Sequence, residues 1–189
     1  QSNDGGPIEN ISISNIIMKN VIGGPFGIEI TNRSRGPNNP PPGTIRNINM
    51  SNIIAIDSMF GSHINGRKGN PIENVSFSNI QVITHGGRGK ELANTDPEDD
   101  VKEPWQGAKW RLPSYGFYFR HVKGLSLNNI KLSARNKDLR PAFVFNDVQQ
   151  LELNGIRAKR WEGNDAPVLF KNVEDVLVSA CPSFPMIEP

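Results

Sequence analysis

Cysteine is almost missing from this chain of 189 residues. Cys181 stands alone, so no intramolecular disulfide can staple the fold. Histidine is nearly as scarce. His63, His85 and His121 come from three unrelated contexts, a poor start for a zinc site, and no metal or cofactor is expected. Apolar residues make up only 36 % of the chain and never run on for the length of a membrane-spanning helix, so no membrane partner is expected. A net charge of +2, from 21 basic and 19 acidic residues, gives no argument for a nucleic-acid partner. Amphipathic helices are also lacking, because Gly, Pro and β-branched residues break every candidate window. The 18 glycines and 15 prolines carry no G-X-Y period, which excludes a collagen-like chain. The HGGRG stretch (His85 to Gly89) has neither the GxxxxGK[ST] pattern nor a following helix, so it is no phosphate loop.

What the chain does have is a repeat. Six segments share one pattern: IENISISNI from Ile8, IRNINMSNI from Ile45, IENVSFSNI from Ile72, VKGLSLNNI from Val122, VQQLELNGI from Val148 and VEDVLVSAC from Val173. Apolar residues fall at offsets 0, 3, 5 and 8, and the middle pair alternates with polar residues, as in a strand with one buried face. Offset 7 is Asn15, Asn52, Asn79 and Asn129, then Gly155 and Ala180, residue types that suit a bend. Successive starts lie 37, 27, 50, 26 and 25 residues apart, which defines a unit near 26 with two long insertions. A second apolar series, including Phe26 to Ile30, Met59 to Ile64, Tyr115 to Phe119 and Ala142 to Phe145, gives each unit at least two strands.

A short all-strand unit predicts a parallel β-helix of about six or seven coils, forming one domain over residues 1–189, with coils stacked roughly 4.8 Å apart. Equivalent residues should then form rows inside it: Ile11, Ile48, Val75, Leu125, Leu151 and Val176 in one, Ile13, Met50, Phe77, Leu127, Leu153 and Val178 in the next. The Asn residues should stack at the bend as buried, mutually hydrogen-bonded amides. Leucine-rich repeats share the 0, 3, 5 spacing, but they place Asn at offset 8, where this chain has mostly Ile.

Loops inserted into a rigid stack are where binding residues are expected. The insertion 31–43 carries Arg33 and Arg35 beside three prolines, suited to the wall of a groove for an anion. The insertion 84–114 contains an acidic stretch over 96–103, which lacks the spacing of a calcium loop and reads as solvated, together with Trp105 and Trp110, able to stack on a flat ligand or pack on the cylinder. His63 with Arg67, in GSHINGRKGN, is a further candidate for ligand hydroxyls or carboxylates, and His121 a lesser one. The competing reading ends a strand with each histidine on its wet side.

The GNPIENVSFSNI segment (Gly69 to Ile80), the YGFYFRHVKGL segment (Tyr115 to Leu125) and the repeated IxNIxIxNI turns together resemble glycoside hydrolase family 28, the polygalacturonase-like, pectin-degrading enzymes. The resemblance spans the chain but only the C-terminal half of a family domain. It implies a right-handed parallel β-helix in a secreted or periplasmic bacterial protein that hydrolyses, with inversion, an acidic polysaccharide or oligosaccharide built of galacturonate or related sugars. Inversion needs one carboxylic acid for the leaving oxygen and one carboxylate for water. The family takes these from an N-x-D motif and an adjacent Asp pair, supported by a GHG histidine and an R-x-K pair. Here the one Asp pair, Asp99-Asp100, lies in the late insertion, and GHG is absent. The family's R-x-K precedes a stretch like SNDGGPIENISISNI, which places it upstream of Gln1. No catalytic residue is therefore assigned within these 189 residues, and Glu29, which alternates outward, is read as solvated or hydroxyl-binding. The alternative is a non-catalytic module for polysaccharide binding or assembly. A β-helix entered at Gln1 would bare apolar residues near Ile8, Ile11 and Ile13, to be covered by further coils or by self-association.

Overall fold

The computed structural model describes residues 1–3, 5–31, 40–96 and 112–182. In chain order the strands are β1 (Ser2–Asn3), β2 (Pro7–Lys19), β3 (Gly27–Thr31), β4 (Thr44–Ser58), β5 (Ser62–Asn65), β6 (Ile72–Gly86), β7 (Phe117–Asn136), β8 (Phe143–Asn154), β9 (Arg157–Ala158) and β10 (Val168–Ser179). A single 3-10 turn, Lys90–Asn94, interrupts this all-β order. Every pairing between these strands is parallel. The sheet curls until it is nearly closed around one core.

Two stacked series build it. In the first, β2, β4, β6, β7, β8 and β10 lie side by side, and both expected rows pair residue for residue, from Ile11 to Val176 and from Ile13 to Val178. In the second, β3 and β5 align with the opening residues of β7, β8 and β10, so that Ile28, Ile64, Phe119, Phe145 and Phe170 share a row. β1 adds to β3, placing Ser2 beside Ile30.

The long strands are bent at residues with left-handed backbone. Asn15, Asn52, Asn79 and Asn129, at offset 7 of the repeat, have φ of 60°, 55°, 55° and 51°. Asn tolerates this region better than other side-chain-bearing residues because its short amide can bond locally. Each amide donates through Nδ2 to the Oδ1 one level away: Asn52 to Asn15 at 3.2 Å, Asn79 to Asn52 at 3.0 Å, Asn129 to Asn79 at 2.9 Å. The expected stack is therefore present, but it lies on the exposed outside, not in the interior. An amide in the left-handed region points away from the core row, whose inner positions the isoleucines fill.

A second bend at offset 2 repeats the device. Asn10, Asn47 and Asn74 have φ of 59°, 58° and 54°, and their amides bond in series at 2.9 and 3.1 Å. Gly124 continues this line because a Cβ there would come within 2.7 Å of Asn74 Oδ1. A third bend, one residue before the repeat, is made by His121, Asp147 and Asn172.

Inside the curl, Phe117, Phe119, Phe143 and Phe145 are fully buried, and their rings stack nearly parallel to one another, 3–8° apart. Phe119 stacks on Phe145 at 5.3 Å and Phe145 on Phe170 at 5.4 Å. Each such buried ring contributes about 1.5–3 kcal/mol by leaving water, with a further increment from ring contact. The rows emerge only at their outermost strands: Ile11 and Ile13 on β2 and Val176 and Val178 on β10 are roughly two-fifths exposed, whereas Val75 and Leu125 are 1 % exposed.

One buried ion pair anchors the loops beside the second series. Asp138 receives the backbone N and Nε of Arg140 on Oδ1 and Arg140 Nη2 on Oδ2, the last at 2.8 Å. Arg140 Nη1 donates to Leu112 O at 2.9 Å, tying in the far end of the 84–114 insertion.

Candidate functional site

Alternation along the second series decides what it shows to the outside. With Ile28, Ile64, Phe119 and Phe145 turned inward, the neighbouring positions turn outward and form two rows. One row is Gly27, His63, Tyr118, Val144 and Leu169, and the other is Glu29, Asn65, Arg120, Asn146 and Lys171. The second row is polar throughout and runs across the strands at their spacing.

His63 lies across β3. A Cβ on Gly27 would stand 3.1 Å from its Cε1, a tight contact that glycine avoids, leaving room for the ring. The imidazole is buried, with Nε2 3.6 Å from Glu29 Oε2, an electrostatic contact too long for a hydrogen bond. The expectation that His63 ends a strand on its wet side is thus corrected: the ring is packed against the next strand, where Gly27 leaves a slot for it. The same holds for His121, which is buried and puts Nδ1 2.5 Å from Asp147 Oδ2. Asn172 donates to the other oxygen of Asp147 at 3.0 Å, so His121 belongs to a bend and braces it.

A carboxylate from the 84–114 insertion sits over the polar row. Asp96 Oδ1 accepts from Tyr118 Oη at 3.2 Å and from Asn146 Nδ2 at 3.2 Å, and lies 3.5 Å from Arg120 Nε. Arg120 is largely buried, with 12 % of its side chain exposed, whereas Asp96 is 58 % exposed. Burial pushes the Tyr118 phenol above its ordinary pKa, so it stays a neutral donor throughout the working range of a protein. Beside Arg120 in the row, Asn65 Oδ1 is buried without a hydrogen-bond partner among the described residues. The cluster therefore offers donors for a carboxylate next to an acceptor for a hydroxyl.

Of the residues singled out from sequence, Arg33, Arg35, Trp105 and Trp110 lie outside the described residues, as do positions 97–103 of the acidic stretch. Arg67 is in the turn after β5, whose backbone closes through Arg67 N to Asn70 O at 3.1 Å and Asn70 N to Arg67 O at 2.9 Å. His63 instead faces Glu29. The network of Asp96, Tyr118, Arg120 and Asn146 was not anticipated. Its only sequence signal is the alternation FYFRH and FVFND, which puts Tyr118, Arg120, Val144 and Asn146 on one face.

The bare N-x-D spacing occurs at Asn94-Thr95-Asp96 and Asn136-Lys137-Asp138, and R-x-K at Arg88-Gly89-Lys90, Arg135-Asn136-Lys137 and Arg157-Ala158-Lys159. Asp138 is fully buried against Arg140, which removes it from any solvent-facing chemistry. Arg135 is occupied with Asp57, to which Nη2 donates at 2.8 Å. No group of three or more potential metal ligands forms among the described residues. Comparison of the chain with family models, with curated proteins and with solved structures finds no match in any of the three.

Proposed function

We propose that this chain is the polysaccharide-holding part of a polygalacturonase-like, inverting glycoside hydrolase with a right-handed parallel β-helix fold. It acts on pectic or related acidic polysaccharide outside the cytoplasm, and the acids that cleave the bond are supplied from beyond these 189 residues. The carrying observation is that Arg120 and Asn146 of the outward polar row, with Tyr118 from the row beside it, converge on one carboxylate oxygen. Uronate carboxylates spaced along a polymer would meet such donors on a stack too rigid to collapse around them, because each level is pinned by core rows and amide lines. Pre-organised donors lower the ordering cost of binding a flexible chain.

The test is calorimetric titration of the purified chain with a galacturonate trimer and with its methyl ester, alongside an assay for released reducing ends. Binding of the acid over the ester, without hydrolysis, is expected. Equal binding of both, or hydrolysis by this chain alone, overturns the reading. The assembly reading draws on the emergence of Ile11, Ile13, Val176 and Val178 at the two outermost strands. Sedimentation that shows concentration-dependent association, with no sugar bound, would favour it.

A further inference from the structure

We infer that the cavity between the 3-10 turn and the loop leading into β10 is a site for an uncharged sugar ring, distinct from the cluster around Arg120. Its volume is about 580 Å³, within the roughly 300–1,000 Å³ of small-molecule sites. Three stretches of chain meet around it: the turn Lys90–Asn94, the β7–β8 connection at Leu139 and Pro141, and residues 164–166 with Leu169 of β10. Each is fastened without help from a ligand. Leu139 N donates to Arg88 O at 2.9 Å, which ties the segment before the turn to the connection. Asn164 Nδ2 donates to Arg140 O at 2.8 Å, beside the buried Asp138–Arg140 pair. Leu169 is held level with Val144 by the sheet. The walls are therefore in place before anything binds, which lowers the ordering cost of binding.

The lining is divided by chemistry. Ala93, Leu139, Pro141, Ala166 and Leu169 supply apolar surface. Against it stand Lys90, Asn94 and Asp165, all exposed. Lys90 Nζ lies 3.8 Å from Asp165 Oδ2, too long for a hydrogen bond, so both groups keep bonding capacity for hydroxyls. Asn164, only 3 % exposed, is the buried polar side chain of the lining, and its Oδ1 has no hydrogen-bond partner among the described residues. A pyranose is the complement of such a lining, with a C–H face for the apolar wall and hydroxyls that both donate and accept. Charge then selects among sugars. Glu91 also lines the cavity, so two carboxylates stand against the single ammonium of Lys90. A uronate carboxylate is disfavoured there and a neutral ring is not. The site therefore does not depend on the acidic-polysaccharide reading.

The experiment uses galactose and galacturonate, which differ only in carrying a hydroxymethyl group or a carboxylate. Each is titrated into the full chain while the backbone amide signals are followed by NMR. Galactose should move the signals of Ala93, Asn94 and Ala166, and galacturonate should bind at those residues roughly threefold more weakly, the size of one exposed charge contact. Asn94→Ala should weaken galactose binding roughly threefold, with the strand signals unchanged. Asp165→Asn, which removes the charge but keeps a hydrogen-bonding group, should narrow the gap between the two sugars. Unmoved signals at these three residues with galactose, galacturonate binding there as tightly as galactose, or native behaviour in both variants overturns the inference. If the galacturonate trimer fails to bind while galactose still moves these signals, the acidic-polysaccharide reading falls and this site stands.

Discussion

Replacing Asn79 tests the claim that backbone handedness, and not the amide alone, explains the Asn line. Asn79 sits mid-line with φ of 55°, donating to Asn52 and accepting from Asn129. Both bonds are exposed, so each is placed at the low end for a protein hydrogen bond, about 0.5 kcal/mol. Asn79→Gly keeps the left-handed conformation at no steric cost and should lose about 1 kcal/mol. Asn79→Ala loses the same bonds and adds the clash of Cβ with the carbonyl, roughly 1–2 kcal/mol, for a total of about 2–3 kcal/mol. The order is the decisive part. Within an ordinary strand Gly is the worse residue by about 0.5–1 kcal/mol, whereas here it should be the better one. Urea unfolding followed by circular dichroism reads both variants on one scale. A glycine variant less stable than the alanine variant refutes the reasoning. Ala180, at φ of 50° in the same line, shows that alanine can be held there, so both proteins should fold.

Other consequences are open to measurement. Phe145→Ala, which removes a fully buried ring stacked between Phe119 and Phe170, should cost about 3–5 kcal/mol in the same unfolding assay; a loss under 1 kcal/mol would contradict the packing. Arg140→Met should destabilise by about 3–5 kcal/mol by stranding the buried Asp138 carboxylate, and adding Asp138→Asn should recover part of it. No recovery in the double variant would mean that the pair is not what Arg140 stabilises. The Arg135 guanidinium, by its hydrogen bond and its charge, holds the Asp57 carboxyl below the usual aspartate range. A depressed folded-state pKa makes this contribution present above the ordinary aspartate value, near about 4, and lost as pH falls through the folded value. An NMR titration should place the Asp57 midpoint below that of the Arg135→Gln variant; identical midpoints would remove the pairing.

The stack was legible in the sequence because rows are a local, periodic property. Offsets 3 and 5 identify inward residues, and the six repeats align to the residue with the pairing of β2, β4, β6, β7, β8 and β10. The bends at offset 2 were hidden because Asn10, Asn47, Asn74, Gly124, Gln150 and Asp175 follow a polar or charged residue at offset 1 in most repeats, so they read as part of a solvated face although all six adopt a left-handed backbone. The polarity of the Asn line was legible, but not its side of the wall. Inside or outside follows from backbone handedness at the bend, which residue type suggests without fixing where the amide points. His63 was visible as a candidate, yet its slot depends on Gly27, 36 residues earlier and one full turn of the stack away. Asp96 was read as one charge in an acidic stretch, because a loop carboxylate meeting Tyr118, Arg120 and Asn146 leaves no periodic trace.

The bond from Asn129 to Asn79 spans 50 residues, while that from Asn79 to Asn52 spans 27, yet their lengths differ by only 0.1 Å. The wall therefore keeps no record of how much chain was spliced between two of its courses. Only the seams must match, and whatever lies between them is free to lengthen, shorten or be exchanged. A new loop grafted between Thr84 and Ser114 would inherit a finished foundation. Its chemistry could be varied there without renegotiating the fold.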